Sequence, residues 1–249
     1  MATGIDVPTV DILGVPIHQI TERELLELLE RRQAASQRTW LVTVNAELVI
    51  RARESREVAQ TLGRADLLLA DGSGIIWAAR RLGGCLLEKL PGVEIAEKLV
   101  KWAAGTGLSV YFLGAKPGVA QEAAAKMQSK YPGFNIAGYR DGYFGNMEEE
   151  EVVAEIRGLA PDILLVALGA PRQELWIAKH FNELQVGMAV GVGGSFDVWS
   201  GRVKRAPAWM SDHGLEWLYR LATDPRRIGR MLALPRFVYQ VVCTKLTGR

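Results

Sequence analysis

The sequence predicts an α/β protein: a doubly wound, mostly parallel sheet over residues 1–202, followed by a helical appendage over residues 203–249. Three observations predict it. Short, continuously apolar runs such as Leu67-Leu68-Leu69-Ala70 alternate with segments of helical periodicity, the pattern of parallel strands joined by helices of about 10–15 residues. The runs end in glycine-rich or polar turns, as strands do when they feed helices on both faces of a sheet. Beyond residue 202 glycine thins out, arginine and aromatics rise, and no strand is evident. With 249 residues, 49% hydrophobic and 23% charged, the composition is globular and the chain can bury a large core.

The elements follow in order. Residues 9–15 contain a short strand. Thr21 caps a helix bearing Leu25, Leu26, Leu28 and Leu29, with Glu24 placed to complete a capping box. Thr39 to Val44 is a strand rich in β-branched residues, and Ala46 to Leu62 reads as one helix. Asp66 to Ala70 is a buried strand; Ser73 to Arg81 and Val93 to Ala104 are helices. Leu108 to Leu113 is a strand, Val119 to Lys130 a helix, Asn135 to Tyr139 a strand and Met147 to Leu159 an acidic helix. Asp162 to Leu168 is a strand, Gln173 to His180 a helix and Val186 to Val192 the last strand. In the appendage Pro207, Pro225 and Pro235 divide the chain into helix-sized pieces with apolar faces such as Leu215, Leu218 and Ala222.

Several function classes are disfavoured. No apolar run reaches the roughly 18 residues of a spanning helix, and Met1 to Asp6 carries no secretory pattern. Cys85 and Cys243 fit no metal or redox spacing and read as reduced thiols. His18, His180 and His213 are scattered, so no metal cage is expected. P-loop, nucleophile elbow and a complete dinucleotide fingerprint are all missing. The net charge of +2 is uneven: 20 Lys+Arg against 25 Asp+Glu in residues 1–199 give −5, and 10 against 3 in residues 200–249 give +7. A basic tail on an acidic body points to an anionic partner. Trp209, Trp217, Tyr219, Phe237 and Tyr239 interleave with the tail arginines, which fits a membrane-surface segment; no nucleic-acid recognition motif is present.

Ligands of open α/β sheets bind at the carboxyl ends of the strands. Thr43-Val44-Asn45-Ala46-Glu47 places Thr43 and Asn45 on one side of a strand end, a spacing that fits a helix cap and a ligand contact equally well. Asp71, in Ala70-Asp71-Gly72-Ser73-Gly74, ends a buried strand beside glycines; it suits a general base, and it suits an N-cap. Gly114-Ala115-Lys116-Pro117-Gly118 fits a tight strand–helix turn more closely than a phosphate loop. Gly169 to Glu174 and Gly191-Val192-Gly193-Gly194-Ser195-Phe196-Asp197 are two further strand ends. Arg220, Arg227 and Arg230 lie at offsets of 7 and 3; they suit a diphosphate if Pro225 leaves them on one face, and otherwise form a solvated basic face.

Together these motifs, with Gly138-Tyr139-Arg140-Asp141-Gly142-Tyr143-Phe144, Arg205-Ala206-Pro207 and Leu215 to Arg220, resemble the WecG/TagA/CpsF glycosyltransferases, also called glycosyltransferase family 26. The resemblance runs from Val10 to about Pro235 and is carried by the order and separation of the motifs. It implies a Rossmann-like enzyme that needs no cofactor or metal. That enzyme moves N-acetylmannosamine, with inversion, from a UDP donor to N-acetylglucosamine on undecaprenyl diphosphate, making a β-1,4 disaccharide lipid. It implies Asp71 as the base, and Thr43, Asn45, Gly72, Lys89 and Gln173 at the sugar and nucleotide. It implies Gly191, Gly193 and Gly194 near the nucleotide, and Arg220, Arg227 and Arg230 on the diphosphate. It also implies a peripheral place on the inner face of the cytoplasmic membrane, and self-association into a homo-oligomer. One stretch departs from the family: Lys89-Leu90-Pro91-Gly92-Val93-Glu94 stands where Arg-Val-x-Gly-x-Asp is common, which puts the donor sugar in question. The uronate donor, a nucleotide-sugar-binding module without turnover, a nicotinamide oxidoreductase and a membrane-surface adaptor are the rival readings.

Overall fold

A computed structural model describes residues 5–86, 88–207, 210, 216–223, 229 and 232–247. Strands β3 (Thr39–Val44), β4 (Leu67–Ala70), β5 (Ser109–Gly114), β6 (Asn135–Arg140), β7 (Ile163–Ala167) and β8 (Met188–Gly191) form one sheet in the order β4-β3-β8-β7-β5-β6. Every pairing in it is parallel, as the unbroken apolar runs predict.

Side-chain alternation sorts the strands onto two faces. Leu41, Phe112, Leu165 and Val190 meet helices α1 (Glu22–Ala34), α5 (Gly92–Thr106), α6 (Val119–Lys130) and α9 (Ser195–Trp199). Val42, Leu113, Val166 and Ala189 face the other way. They meet α2 (Ala46–Glu54), α3 (Arg56–Leu62), α4 (Ser73–Arg81), α7 (Asn146–Leu159) and α8 (Arg172–His180). The winding is therefore double, with the core in two slabs either side of the sheet.

Three local readings are corrected. The first strand is a hairpin, β1 (Thr9–Ile12) and β2 (Val15–His18), because Leu13 and Gly14 both take positive φ, 57° and 90°, the geometry of a two-residue hairpin turn. His18 of this hairpin accepts the Leu68 N–H at 3.0 Å through Nδ1 and so covers the β4 edge. The helix expected over 46–62 is two helices, since Ser55 turns extended and its hydroxyl caps α3 at Val58 N–H. Pro235 does not divide the tail; it sits in the first turn of a final helix, where its missing N–H costs nothing. The capping box at Thr21 and Glu24 forms as expected.

The tail helices are α10 (Glu216–Thr223) and α11 (Ala233–Thr247). Phe237 and Val241 of α11 are buried in the same slab as α2 and α4, against which α11 packs.

Candidate active site at the strand exits

Neighbouring strands β5 and β7 continue in opposite directions, β5 to β6 and β7 to β8. That reversal opens a crevice outside their carboxyl ends. A cavity of about 700 Å³ occupies it. Its walls are the turn after β5 (Ala115, Lys116), the loop after β6 (Tyr143, Phe144), and the turns after β7 and β8 (Arg172, Gly193, Gly194, Asp197).

Backbone geometry holds these walls together. Gly114 takes φ +123° and lies against the chain of β7, where a Cβ would come within 2.5 Å of the Ala167 carbonyl. Only glycine fits there. The Gly142 N–H bonds the Ala115 carbonyl at 2.9 Å, tying the loop after β6 to the turn after β5. Gln173 is 4% exposed and spans the turns after β7 and β8. Its Oε1 accepts from the N–H groups of Gly169 (3.1 Å) and Gly193 (3.0 Å). The side chain sits where Gly191 has none: a Cβ on Gly191 would lie 2.5 Å from Gln173 Nε2.

The electrostatics suit an anion. No side-chain cap closes the N-termini of α4, α6 or α8, whereas Thr21, Asn45 and Ser55 cap α1, α2 and α3. First-turn N–H groups without a side-chain cap, at the positive end of the helix dipole, suit a phosphate; of these, Val119 N–H and Gln173 N–H already bond the Lys116 and Gly169 carbonyls at 3.0 Å. Helix α8 starts at the cavity wall with Arg172, and Lys116 on the same wall lies in the turn that leads into α6; the Arg172 guanidinium lies 5.5 Å from the Phe144 ring centroid.

Asp71 lies at the same end of the sheet, one residue past β4 and half-buried, with its N–H on the Val44 carbonyl at 2.9 Å. Two strand spacings of ~4.8 Å put the ends of β4 and β8 about 10 Å apart. Gly72 follows with φ +92° and α4 begins behind it. The Leu90 N–H returns to the Ala70 carbonyl at 2.6 Å, so Lys89 is carried to the strand end that bears Asp71. Asn45 is the N-cap of α2, accepting from Leu48 N–H at 3.0 Å. Thr43 is 9% exposed and packs under the start of α5, where a Cβ on Gly92 would lie 2.8 Å from its Oγ1.

The expected site residues thus fall into two neighbouring groups: Thr43, Asn45, Asp71, Gly72 and Lys89 at β3 and β4, and Gln173, Gly191, Gly193 and Gly194 at β7 and β8. Arg227 and Arg230 lie outside the described residues; Arg220 is in α10, with its side chain outside them. Sequence reasoning did not single out Tyr143, Phe144, Arg172, Asp197 or Glu174, and it read the Lys116 segment as a plain turn. The signal for the first four was available: each belongs to a motif at a strand exit, which a parallel sheet gathers at one end.

Glu174 is 1% exposed. Burial, the largest influence, and the nearby Glu47 carboxylate raise its proton affinity to a pKa of about 7; hydrogen bonds from Gln173 and its own backbone act the other way. Among the described residues no group of three or more His, Cys, Asp or Glu is arranged to hold a metal ion. No helix among them is long and apolar enough to cross a membrane.

Known proteins resemble this chain along almost its whole length. N-acetylglucosaminyldiphosphoundecaprenol N-acetyl-beta-D-mannosaminyltransferases of Staphylococcus aureus, among them those of strains NCTC 8325 / PS 47 and MRSA252, are 34% identical over 238 residues. The match spans 95% of this chain and 93% of theirs. The sequence profile of the glycosyl transferase WecG/TagA/CpsF family matches residues 10–249, and the chain belongs to that family of glycosyltransferases.

Proposed function

We propose that this glycosyltransferase moves N-acetylmannosamine from UDP-N-acetylmannosamine to N-acetylglucosamine on undecaprenyl diphosphate. The product is a β-1,4 disaccharide lipid for teichoic acid or a related surface polymer. The observation that carries the reading is the pairing of an anion-suited cavity with a carboxylate at the same sheet end, two strands (~10 Å) beyond the cavity's β8 wall. The nucleotide diphosphate fits the cavity, against the N-termini of α6 and α8 with Lys116 and Arg172. The donor sugar then extends toward β3 and β4, where Asp71 and Lys89 lie. The relatives' name supports the acceptor and the transferred sugar.

Mechanism follows from charge. Asp71 takes the proton from the acceptor hydroxyl as that oxygen attacks the anomeric carbon. The bond to UDP breaks on the opposite side, which inverts the centre. Negative charge accumulates on the leaving diphosphate, which the α8 N-terminus, Lys116 and Arg172 at the cavity wall stabilise. Arg220, Arg227 and Arg230 of the tail complete this charge stabilisation when the tail is docked.

The tail also supports seating at the inner membrane face. On α11, Phe237 and Val241 are buried in the body, yet Val238, Tyr239, Val242 and Leu246 are exposed on the other side, beside Arg236 and Lys245. That is an apolar face with Lys245 at its edge; Arg236 beside it pairs with Glu54 at 3.1 Å. A self-associated form is part of the same proposal.

Asp71→Asn tests the assignment. Transfer falls by about a hundredfold or more, while UDP affinity, measured by calorimetry, stays within a few-fold. Full turnover by the Asn variant refutes Asp71 as the base. The uronate donor is the second reading, because Lys89 offers a cation beside the sugar position; a donor panel with Lys89→Arg separates the two.

A further inference from the structure

Glu174 is a buried carboxyl that the mechanism does not use. It sits in the first turn of α8, directly after Gln173, and its Oε1 accepts from Gln173 Nε2 at 2.8 Å. Its second oxygen, Oε2, is fully buried and has no hydrogen-bond partner among the described residues. A buried polar atom of this kind is costly, and an apolar residue of the same size avoids the cost.

The cost has a return in the orientation of Gln173. A carboxamide has an accepting end and a donating end, and only its neighbours decide which points where. Two donors, the N–H groups of Gly169 and Gly193, converge on one end of Gln173. At the other end stands Glu174 Oε1. Turning the amide over sets donor against two donors and acceptor against acceptor, inside a buried site. Oε1 accepts from Gln173 in either charge state provided any proton sits on Oε2. The Glu47 carboxylate of α2, which faces Glu174, favours that proton.

We propose that Glu174 is a positioning residue for the donor cavity: by fixing the amide of Gln173 it locks the turns after β7 and β8 at the separation that receives the donor's diphosphate. The second half of this statement rests on the nucleotide reading above; the first half does not.

The test uses the full chain and two variants, Glu174→Met and Glu174→Gln. Hydrogen exchange at the Gly169 and Gly193 amides reads the lock directly, and calorimetry with UDP reads its consequence. Glu174→Met speeds exchange at these two amides and weakens UDP, each by about tenfold, the worth of one lost hydrogen bond. Exchange within β7 and β8 stays unchanged. Glu174→Gln keeps an accepting oxygen and restores both readouts to within about threefold of the parent. Wild-type exchange at both glycines in the Met variant overturns the proposal. So does rapid exchange of the Gln173 side-chain NH₂ in the unaltered chain, a measurement that needs no variant to fold. A parent chain that fails to bind UDP overturns the donor reading alone, and exchange still decides what Glu174 does.

Discussion

Phe237 offers a quantitative handle on how the tail serves the site. It is 1% exposed on α11, and its ring approaches within 3.9 Å of where a Cβ on Gly74 would lie, at the start of α4. Helices α4 and α2 begin just after Asp71 and at Asn45, so α11 braces the elements that carry both residues. Phe237→Ala removes a ring that buries at least about 150 Å², worth about 4 kcal/mol at ~25 cal/mol per Å². That agrees with the roughly 3–5 kcal/mol typical of buried Phe→Ala changes. If α11 undocks as a unit, 4 kcal/mol is roughly a thousandfold shift toward the undocked state. The assay pairs hydrogen exchange of residues 233–247 with the rate of sugar transfer. Phe237→Ala strips protection from α11, leaves β5 and β7 protected, and lowers transfer in step. Val238→Ala, a change at an exposed neighbour, leaves α11 protection intact and, with a short-chain acceptor in solution, leaves transfer intact too. The reasoning is refuted if Phe237→Ala leaves α11 protection and transfer at the level of Val238→Ala.

Four further expectations concern the body, its buried titratable groups and the tail as a whole. Gly191→Ala drives a methyl into Gln173 and costs about 2 kcal/mol, lowering the melting temperature by roughly 6 °C; UDP affinity, measured by calorimetry, drops with it. The raised proton affinity of Glu174 makes the parent chain lose stability as pH climbs from the unfolded carboxyl value near 4.5 to about 7, because the native state holds a proton that the unfolded chain releases. Glu174→Gln cannot lose that proton, so its stability relative to the parent rises across this window by up to roughly 3 kcal/mol; urea midpoints at pH 5 and 8 read the difference, and a pH-independent difference contradicts it. His18 works in the opposite sense: burial lowers its proton affinity, so the stability it contributes is present above pH ~6.5 and is lost on acidification. His18→Phe should flatten that acid limb of a thermal-melt series. Removal of residues 203–249 should leave a folded body by circular dichroism and abolish transfer; a fully active truncate contradicts the role given to the tail.

Strand identity was legible because both faces of this sheet are covered. Leu67 to Ala70 and Ile163 to Ala167 are unbroken apolar runs, and such runs have one home in an α/β fold. Helix starts with a side-chain cap, as at Thr21, were legible for the same local reason. The breaks hinged on single residues whose roles compete. Ser55 ends one helix and caps the next, yet in sequence it looks like any polar helix residue. Leu13 takes a positive φ that leucine rarely adopts, so the hairpin was hidden inside an apolar run. The site was legible as a set of strand ends but not as a set of contacts. Gln173 spans two turns whose bonded glycines, Gly169 and Gly193, are 24 residues apart, through a void left by Gly191, and no periodicity announces such a strut. Glu174 was invisible for a plainer reason: acids in a first helical turn are ordinarily solvated partners of the dipole, and burial of this one follows only from the packed fold.

The central claim is a transfer reaction run by side chains and helix N-termini at one end of the sheet. Its most direct test is incubation of the full chain with UDP-N-acetylmannosamine and a short-chain lipid-diphosphate N-acetylglucosamine, in the presence of EDTA, following UDP release and the disaccharide lipid together. Stoichiometric UDP and disaccharide are expected, with the loss of both in Asp71→Asn. UDP binding without any disaccharide from this donor and acceptor contradicts the claim.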